Sequence, residues 1–241
     1  MTVASDRINQ LLGLTNANSY LEVGVEQGHT FHAVTAGSKV AVDPRFLFDV
    51  DASMRDFPHC EYYETTSDRY FDKLDPGREF DLIFLDGLHT YEQTYRDFSS
   101  ALMHLAPRGI IVMDDTFPKD VYSTHRSIEM ALQLRRKYAE ARPGWHGDTY
   151  KAVILIATFN PLIDYCTIAG NGQKCQTFLW RRVDQACVGR PAADTFQHVV
   201  HNMESSHYLW LLANVEVLNI VTTFAAVLAL LANRLGVKVP T

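Results

Sequence analysis

The chain has 241 residues and no block of lysine or arginine, its 22 basic side chains being scattered among 28 acidic ones. With a formal net charge of -6 and no basic stripe, it lacks the electrostatic footprint of a nucleic-acid binder. Cysteine is scarce: Cys60, Cys166, Cys175 and Cys187 form no C-x-x-C pair. Their scatter argues against a zinc site or a disulfide frame and reads as reduced thiols of a cytoplasmic protein. The segment Met1 to Leu14 places acidic and polar residues where a secretory signal needs an apolar core. No internal repeat and no low-complexity segment is present.

One apolar stretch, Leu209 to Leu231, is long enough in principle to span a bilayer. Asn214, Glu216, Asn219, Thr222 and Thr223 interrupt it, and an uncompensated Glu near mid-membrane costs about 3 kcal/mol. We read the stretch as a helix or helical pair buried against the domain or a second subunit. It closes an extension over 190–241 that follows a main domain over 1–189.

What the chain does have is two short apolar runs that each end in carboxylate. One is Phe80-Asp-Leu-Ile-Phe-Leu-Asp86-Gly-Leu-His89-Thr-Tyr91, the other Gly109-Ile-Ile-Val-Met-Asp114-Asp115. Runs of this length read as buried parallel strands, and open α/β sheets bind ligands at the C-terminal ends of such strands. Carboxylates gathered in one crevice are costly unless a cation or a catalytic task occupies them.

Strand and helix signals alternate along the chain. Strands are expected at Ser19–Val25, Lys39–Val42, Glu61–Glu64, Phe80–Leu85 and Ile110–Met113, and helices at Thr30–Ala36, Tyr91–Leu105 and Ser123–Ala141. Tyr150–Ala157 and Thr177–Arg181 are expected to close the sheet as an antiparallel pair. The predicted class is α/β: a Rossmann-like, mostly parallel seven-stranded sheet with helices on both faces and a C-terminal helical extension.

Directly after the first strand stands Glu22-x-Gly24-x-x-x-Gly28. Glycines there let the backbone pass close beneath a ligand, and the helix that follows offers free N–H groups. Val25-Glu26-Gln27 between the glycines departs from the dinucleotide pattern, and Glu22 would repel a pyrophosphate. An acid beside the loop suits a cationic ligand, one bearing an amino group or a sulfonium. Asp43 follows the glycine turn by about 20 residues, where nucleoside-binding α/β folds place an acid that accepts both ribose hydroxyls. Pro44 disfavours helix at Asp43 and holds it extended.

These residues, followed in order by Ser67-Asp68 and Asp86, resemble the motif set of the class I S-adenosylmethionine-dependent methyltransferases. Asp86-Gly-Leu-His89-Thr-Tyr91 is similar to the D-G-x-H-x-Y signature of a small-molecule O-methyltransferase group within that class, and the resemblance covers roughly Ser19 to Lys151. It implies that Glu22, Gly24 and Gly28 line the methionine end of S-adenosylmethionine. Asp43 would hold its ribose, Ser67 and Asp68 would sit near its adenine, and Asp86 would border it.

The same resemblance implies that the first, fourth and fifth strands lie side by side. Asp86, Asp114 and Asp115 would then hold Mg²⁺ or another divalent cation, which chelates neighbouring hydroxyls of the acceptor and acidifies one of them. Some relatives resembling this sequence carry His where Asp114 stands and can dispense with the metal. That leaves Asp86 and Asp115 as the firmer pair.

His89 joins Asp86 as a candidate catalytic residue, as general base toward the acceptor hydroxyl or as a metal or substrate contact. Tyr91 reads as a packing residue that begins a helix. His146, Asp148 and Lys151 either reach over the substrate or line a solvated strand entrance; Trp145 is a candidate pocket wall, and Trp180-Arg181-Arg182 an exposed strand end. The expected activity is Mg²⁺-assisted methyl transfer to a hydroxyl of a small molecule, a sugar or natural product. The alternatives are metal-independent O- or N-methylation with His89 as base, and a non-methylating enzyme on the same scaffold. The expected partners are the hydroxyl acceptor and a second copy of the chain, joined through the C-terminal helix, which could instead serve as a lid.

Overall fold

The apolar runs become strands. The computed structural model describes residues 2–138, 144–169, 174–182, 203 and 207–238. In chain order the elements are α1 (Val3–Thr15), β1 (Ser19–Val23), α2 (His29–Ala33), β2 (Ser38–Asp43), α3 (Val50–Asp56), β3 (Cys60–Glu64), α4 (Ser67–Lys73) and β4 (Phe80–Leu85). There follow α5 (Tyr91–Met103), β5 (Leu105–Asp114), α6 (Ile128–Tyr138), α7 (Tyr150–Phe159), β6 (Ile163–Ile168) and β7 (Gln176–Arg181). The last are α8 (Tyr208–Ala213), β8 (Ile220–Val221) and α9 (Phe224–Leu235).

These elements divide into two units: Met1–Leu88 with Arg96–Asp114 and Thr223–Thr241, and His89–Tyr95 with Asp115–Thr222. The first unit holds five parallel strands in the order β3-β2-β1-β4-β5. Val40, Ala41 and Val42 of β2, Leu82 to Leu85 of β4 and Ile110 to Met113 of β5 are all buried, as continuous apolar runs in a parallel sheet require. Strand order reverses between β1 and β4, the switch point where such sheets open a ligand crevice.

Local chemistry fixes the helices. Thr2 caps α1, accepting from the Ser5 amide at 3.0 Å while its own amide donates to Ser5 Oγ at 2.9 Å. Asp49 and Thr66 cap α3 and α4 through the side chain alone, accepting from the amides of Ala52 and Arg69. The crossover helix α2 stops at Ala33, short of the expected Ala36, because Val34 turns extended. Buried Lys39 then donates to the carbonyls of Phe31 and Val34, at 2.8 and 2.9 Å, satisfying groups the helix end leaves open. Capped by Thr223, α9 packs on α1, with the Arg7 guanidinium 5.6 Å from the Phe224 ring centroid.

In the second unit β6 runs antiparallel to β7 and parallel to β8. The described residues thus contain eight strands, where seven were expected. Tyr150–Ala157 is not one of them: it is helix α7, and the antiparallel partner of β7 is β6. Tyr150 to Ile154 are all buried in succession, and a helix buried all round carries no amphipathic period to tell it from a buried strand. The expected helix Ser123–Ala141 splits into a 3-10 turn at Tyr122–Thr124 and α6, with Ala141 outside the described residues.

The stretch Leu209–Leu231 is cut where its polar residues fall, Asn219 adopting a left-handed φ of 47°. No helix among the described residues is long and apolar enough to cross a membrane. Cys187 and the boundary expected at Arg190 lie outside the described residues, whereas Cys60, Cys166 and Cys175 are buried free thiols.

Candidate active site

The first unit aligns its chemistry by strand register. Val23 pairs with Val42 on one side and with Leu85 on the other, and Leu85 pairs with Met113. One residue further along, Asp43, Gly24, Asp86 and Asp114 therefore form a transverse row at the C-terminal ends of β2, β1, β4 and β5. Gly24 is where backbones crowd: with φ at +86°, a β-carbon there would lie 2.0 Å from the Asp86 carbonyl oxygen. Gly28 is also left-handed, at +75°, and a β-carbon on it would meet the His32 ring at 2.6 Å.

Asp43 clasps the turn between these glycines. Its Oδ2 accepts from the amides of Val25 at 2.8 Å and Glu26 at 2.9 Å, and its Oδ1 accepts from Arg45 at 2.8 Å. This holds Glu26 in a left-handed conformation, φ 48°, that non-glycine residues seldom adopt. Glu22 is buried on β1, 2% exposed, and its Oε2 accepts from the Tyr20 hydroxyl at 2.5 Å. Burial pushes the Tyr20 phenol well above its ordinary pKa, and the carboxylates of Glu22, Asp86 and Asp114 push it further. Asp114 is 2% exposed. Ser67 and Asp68 open α4, where Asp68 lies 3.6 Å from Arg96, both side chains more than half exposed.

The second unit holds Asp115, itself left-handed at φ 54°, between two imidazoles. His89 Nδ1 lies 3.7 Å from Asp115 Oδ2, and His146 Nε2 lies 3.8 Å from Oδ1, both beyond hydrogen-bond length. Burial, with Lys119 and His89 nearby, pushes the His146 pKa down to about 4, so this imidazole is neutral at physiological pH. Trp145 stacks on His89 with ring centroids 4.6 Å apart and planes at 24°.

The row therefore brings together Gly24, Asp43, Asp86 and Asp114, with Glu22 behind it on β1. Asp115 and His89 meet in the second unit. His146, Asp148 and Lys151 are buried, so the reading of a solvated strand entrance does not hold. Trp180 is likewise buried, and Arg182 pairs with Asp164 at 2.6 Å. Sequence reasoning passed over Tyr20, whose place two residues before Glu22 on a strand puts both on one face. It also passed over Arg126, which lies 2.6 Å from Glu92 and 3.8 Å from Asp148; no periodic signal marks it.

A strand order that reverses beside a glycine turn, edged by a row of acids, is the setting in which open α/β sheets bind ligands. Residues 21–116 match the family described as "Methyltransferase domain". The match runs from β1 to just past β5 and spans less than half of the chain.

No curated protein matches the chain. Among solved structures it is similar to cofactor-bound Rv0187 from MTB, with 16% identity over 76% of this chain and 82% of that one, and a TM-score of 0.55. The O-methyltransferase TomG from Streptomyces achromogenes, involved in tomaymycin synthesis and in complex with SAM, is 15% identical over 76% and 81%, with a TM-score of 0.51. An O-methyltransferase from Bacillus cereus in complex with SAH is 16% identical over 76% and 82%, with a TM-score of 0.50. At such identities these likenesses speak for the fold.

Proposed function

We propose that this protein transfers a methyl group from S-adenosylmethionine to a hydroxyl of a small molecule, a sugar or other natural product, with a divalent cation assisting. The observation that carries the reading is the row Asp43, Gly24, Asp86, Asp114, set at the switch point of the parallel sheet. The acids beside its glycine turn favour a cationic sulfonium over a phosphate. That two structurally similar O-methyltransferases carry SAM or SAH supports the donor assignment.

In this reading Gly24 and Gly28 line the methionine end of the donor, with Glu22 held by Tyr20 behind them, while Asp43 steadies the turn beside the ribose. Ser67 and Asp68 border the adenine. Asp86, Asp114 and Asp115 offer only oxygen donors, and consecutive residues supply the last two, a set that fits a hard cation such as Mg²⁺. Such an ion, when bound, lowers the pKa of a coordinated hydroxyl. His89, ordered between the Trp145 ring and the Asp115 carboxylate, takes the proton from the acceptor oxygen. Transfer is an in-line displacement, so the chain contributes chiefly alignment.

Metal-independent transfer with His89 as base is a second reading, favoured by the imidazole standing 3.7 Å from Asp115. The buried free thiols support a reducing compartment, the cytoplasm.

Deuteromethyl S-adenosylmethionine, a panel of catechols and glycosides, and mass spectrometry test these readings. Transfer to oxygen that EDTA abolishes, that Mg²⁺ restores and that Asp115→Ala removes is the expected result. Transfer indifferent to EDTA yet lost in His89→Ala leaves the metal-independent reading standing. A wild-type protein that does not bind S-adenosylhomocysteine overturns the donor assignment itself.

A further inference from the structure

Three residues of one short segment of the second unit, Trp145, Gly147 and Asp148, grip the His89 turn. Trp145 covers its ring. Gly147 meets its backbone: with φ at +57°, a β-carbon there would lie 1.8 Å from the His89 carbonyl oxygen. Asp148 then bonds on both sides of the His89–Tyr91 turn. Its amide donates to the His89 carbonyl at 3.3 Å, and its Oδ1 accepts from the Tyr91 amide at 3.0 Å, at the N-terminus of α5. The other oxygen, Oδ2, faces Arg126 Nε at 3.8 Å and Lys151 Nζ at 3.7 Å.

An acid that caps a helix is ordinarily a surface residue. Asp148 is 4% exposed, and the chain supplies two cations around it. A carboxylate is costly to bury, and this one is spent on the Tyr91 amide, while the backbone amide of the same residue holds the His89 carbonyl on the other side of Thr90. Its contacts are with the backbone of His89 and Tyr91 and with cations of its own unit, so it acts through the turn.

We propose that Asp148 is the positioning residue for His89: it locks the His89–Tyr91 turn at the start of α5, with Gly147 as the notch that admits the His89 carbonyl. The proposal rests on reading His89 as the base. Loss of the lock frees the imidazole from Trp145 and Asp115 without removing it.

Site-resolved carbethoxylation of histidines, followed by peptide mass spectrometry, tests this without donor or acceptor. Exposed His29 and His59 serve as internal references. Asn keeps an oxygen that can accept from Tyr91, so Asp148→Asn is expected to match wild type at His89. In Asp148→Ala and Gly147→Ala, His89 is expected to react roughly fivefold faster while His29 and His59 keep their rates.

Unchanged His89 reactivity in a folded Asp148→Ala protein overturns the proposal, as does Asp148→Asn behaving like Asp148→Ala. Where Asp148→Ala does not fold, amide exchange of the wild type decides: the capped Tyr91 amide is expected to be protected, and free exchange there overturns the lock. Methyl transfer surviving in His89→Ala overturns the base reading alone, so the two ideas fail separately.

Discussion

Gly24 and Asp86 lie in direct backbone contact across β1 and β4, so close that a β-carbon on Gly24 would stand 2.0 Å from the Asp86 carbonyl oxygen. The opposing atoms are backbone, which cannot swing aside as a side-chain tip can. The left-handed φ of 86° adds a second obstacle to any side chain. Gly24→Ala must therefore part the two strand ends at the switch point. We expect a loss of about 2 kcal/mol in stability and at least about tenfold in S-adenosylhomocysteine affinity. Thermal melting and isothermal titration calorimetry check both; an alanine variant that binds as wild type would show that the turn does not contact the donor.

Asp43 is engaged before any ligand arrives. Three backbone amides donate to its carboxylate, two of them from the glycine turn. A carboxylate has about four acceptor positions, which leaves room for a ribose hydroxyl beside the three amides. Asp43→Ala removes the clasp and the ribose contact together, whereas Asp43→Asn retains one acceptor oxygen. The expected order of S-adenosylhomocysteine affinity is wild type, then Asn, then Ala, with the Ala variant roughly a hundredfold weaker. Adenine alone should lose less than the nucleoside if the ribose contact is real, and calorimetry with both ligands measures the difference.

How far the sequence discloses this architecture depends on which face of each element is buried. Phe80–Leu85 is legible to the residue because its apolar run ends abruptly at Asp86. The acids Asp43, Asp86 and Asp114 are legible because each terminates such a run. Helix α7 is not legible: Tyr150 to Ile154 are buried in succession, and Lys151 lies among them with its charge beside Asp148. A strand and an all-round buried helix present the same composition there. One reading of His146, Asp148 and Lys151 is a solvated strand entrance, because His, Gly and Asp favour turns. The burial of this segment comes from partners distant in sequence, His89, Tyr91 and Arg126, which local pattern cannot reveal.

Asp81 ties the start of β1 to β4 and supplies a pH dependence. Its Oδ2 accepts from the Asn18 amide at 2.9 Å, the Ser19 amide at 3.0 Å and the Ser19 hydroxyl at 2.9 Å. Burial would raise its pKa, but the Asn18 and Ser19 donors outweigh burial and hold it below 3.8. A carboxylate whose folded pKa is depressed stabilises the fold above its unfolded pKa. That contribution fades as pH falls below about 4 and is gone once pH has passed through the folded pKa. Asp81→Ala is expected to cost about 2 kcal/mol at pH 7 and progressively less below pH 4. Urea melts of both proteins at pH 7 and pH 3 measure the convergence, and parallel losses at the two pH values would contradict the assignment.

Helix α8 bears on whether two copies of the chain associate. Leu211 is fully buried, while Leu209 and Leu212, three residues apart and hence neighbours on the helix surface, are 67% and 46% exposed. Exposed leucines scattered singly are ordinary; two adjacent ones on a short helix form an apolar patch whose burial against a partner is favourable by about 25 cal/mol per Å². Under our proposal that the C-terminal segment joins two copies, the wild type elutes as a dimer. The double substitution Leu209→Glu and Leu212→Glu then shifts it to monomer, because two charges per subunit would have to be desolvated at the interface. Both side chains already face solvent within one chain, so the monomer's melting temperature should change little. Light scattering coupled to gel filtration distinguishes the outcomes: a monomeric wild type, or a double variant that still dimerises, would remove α8 from the interface.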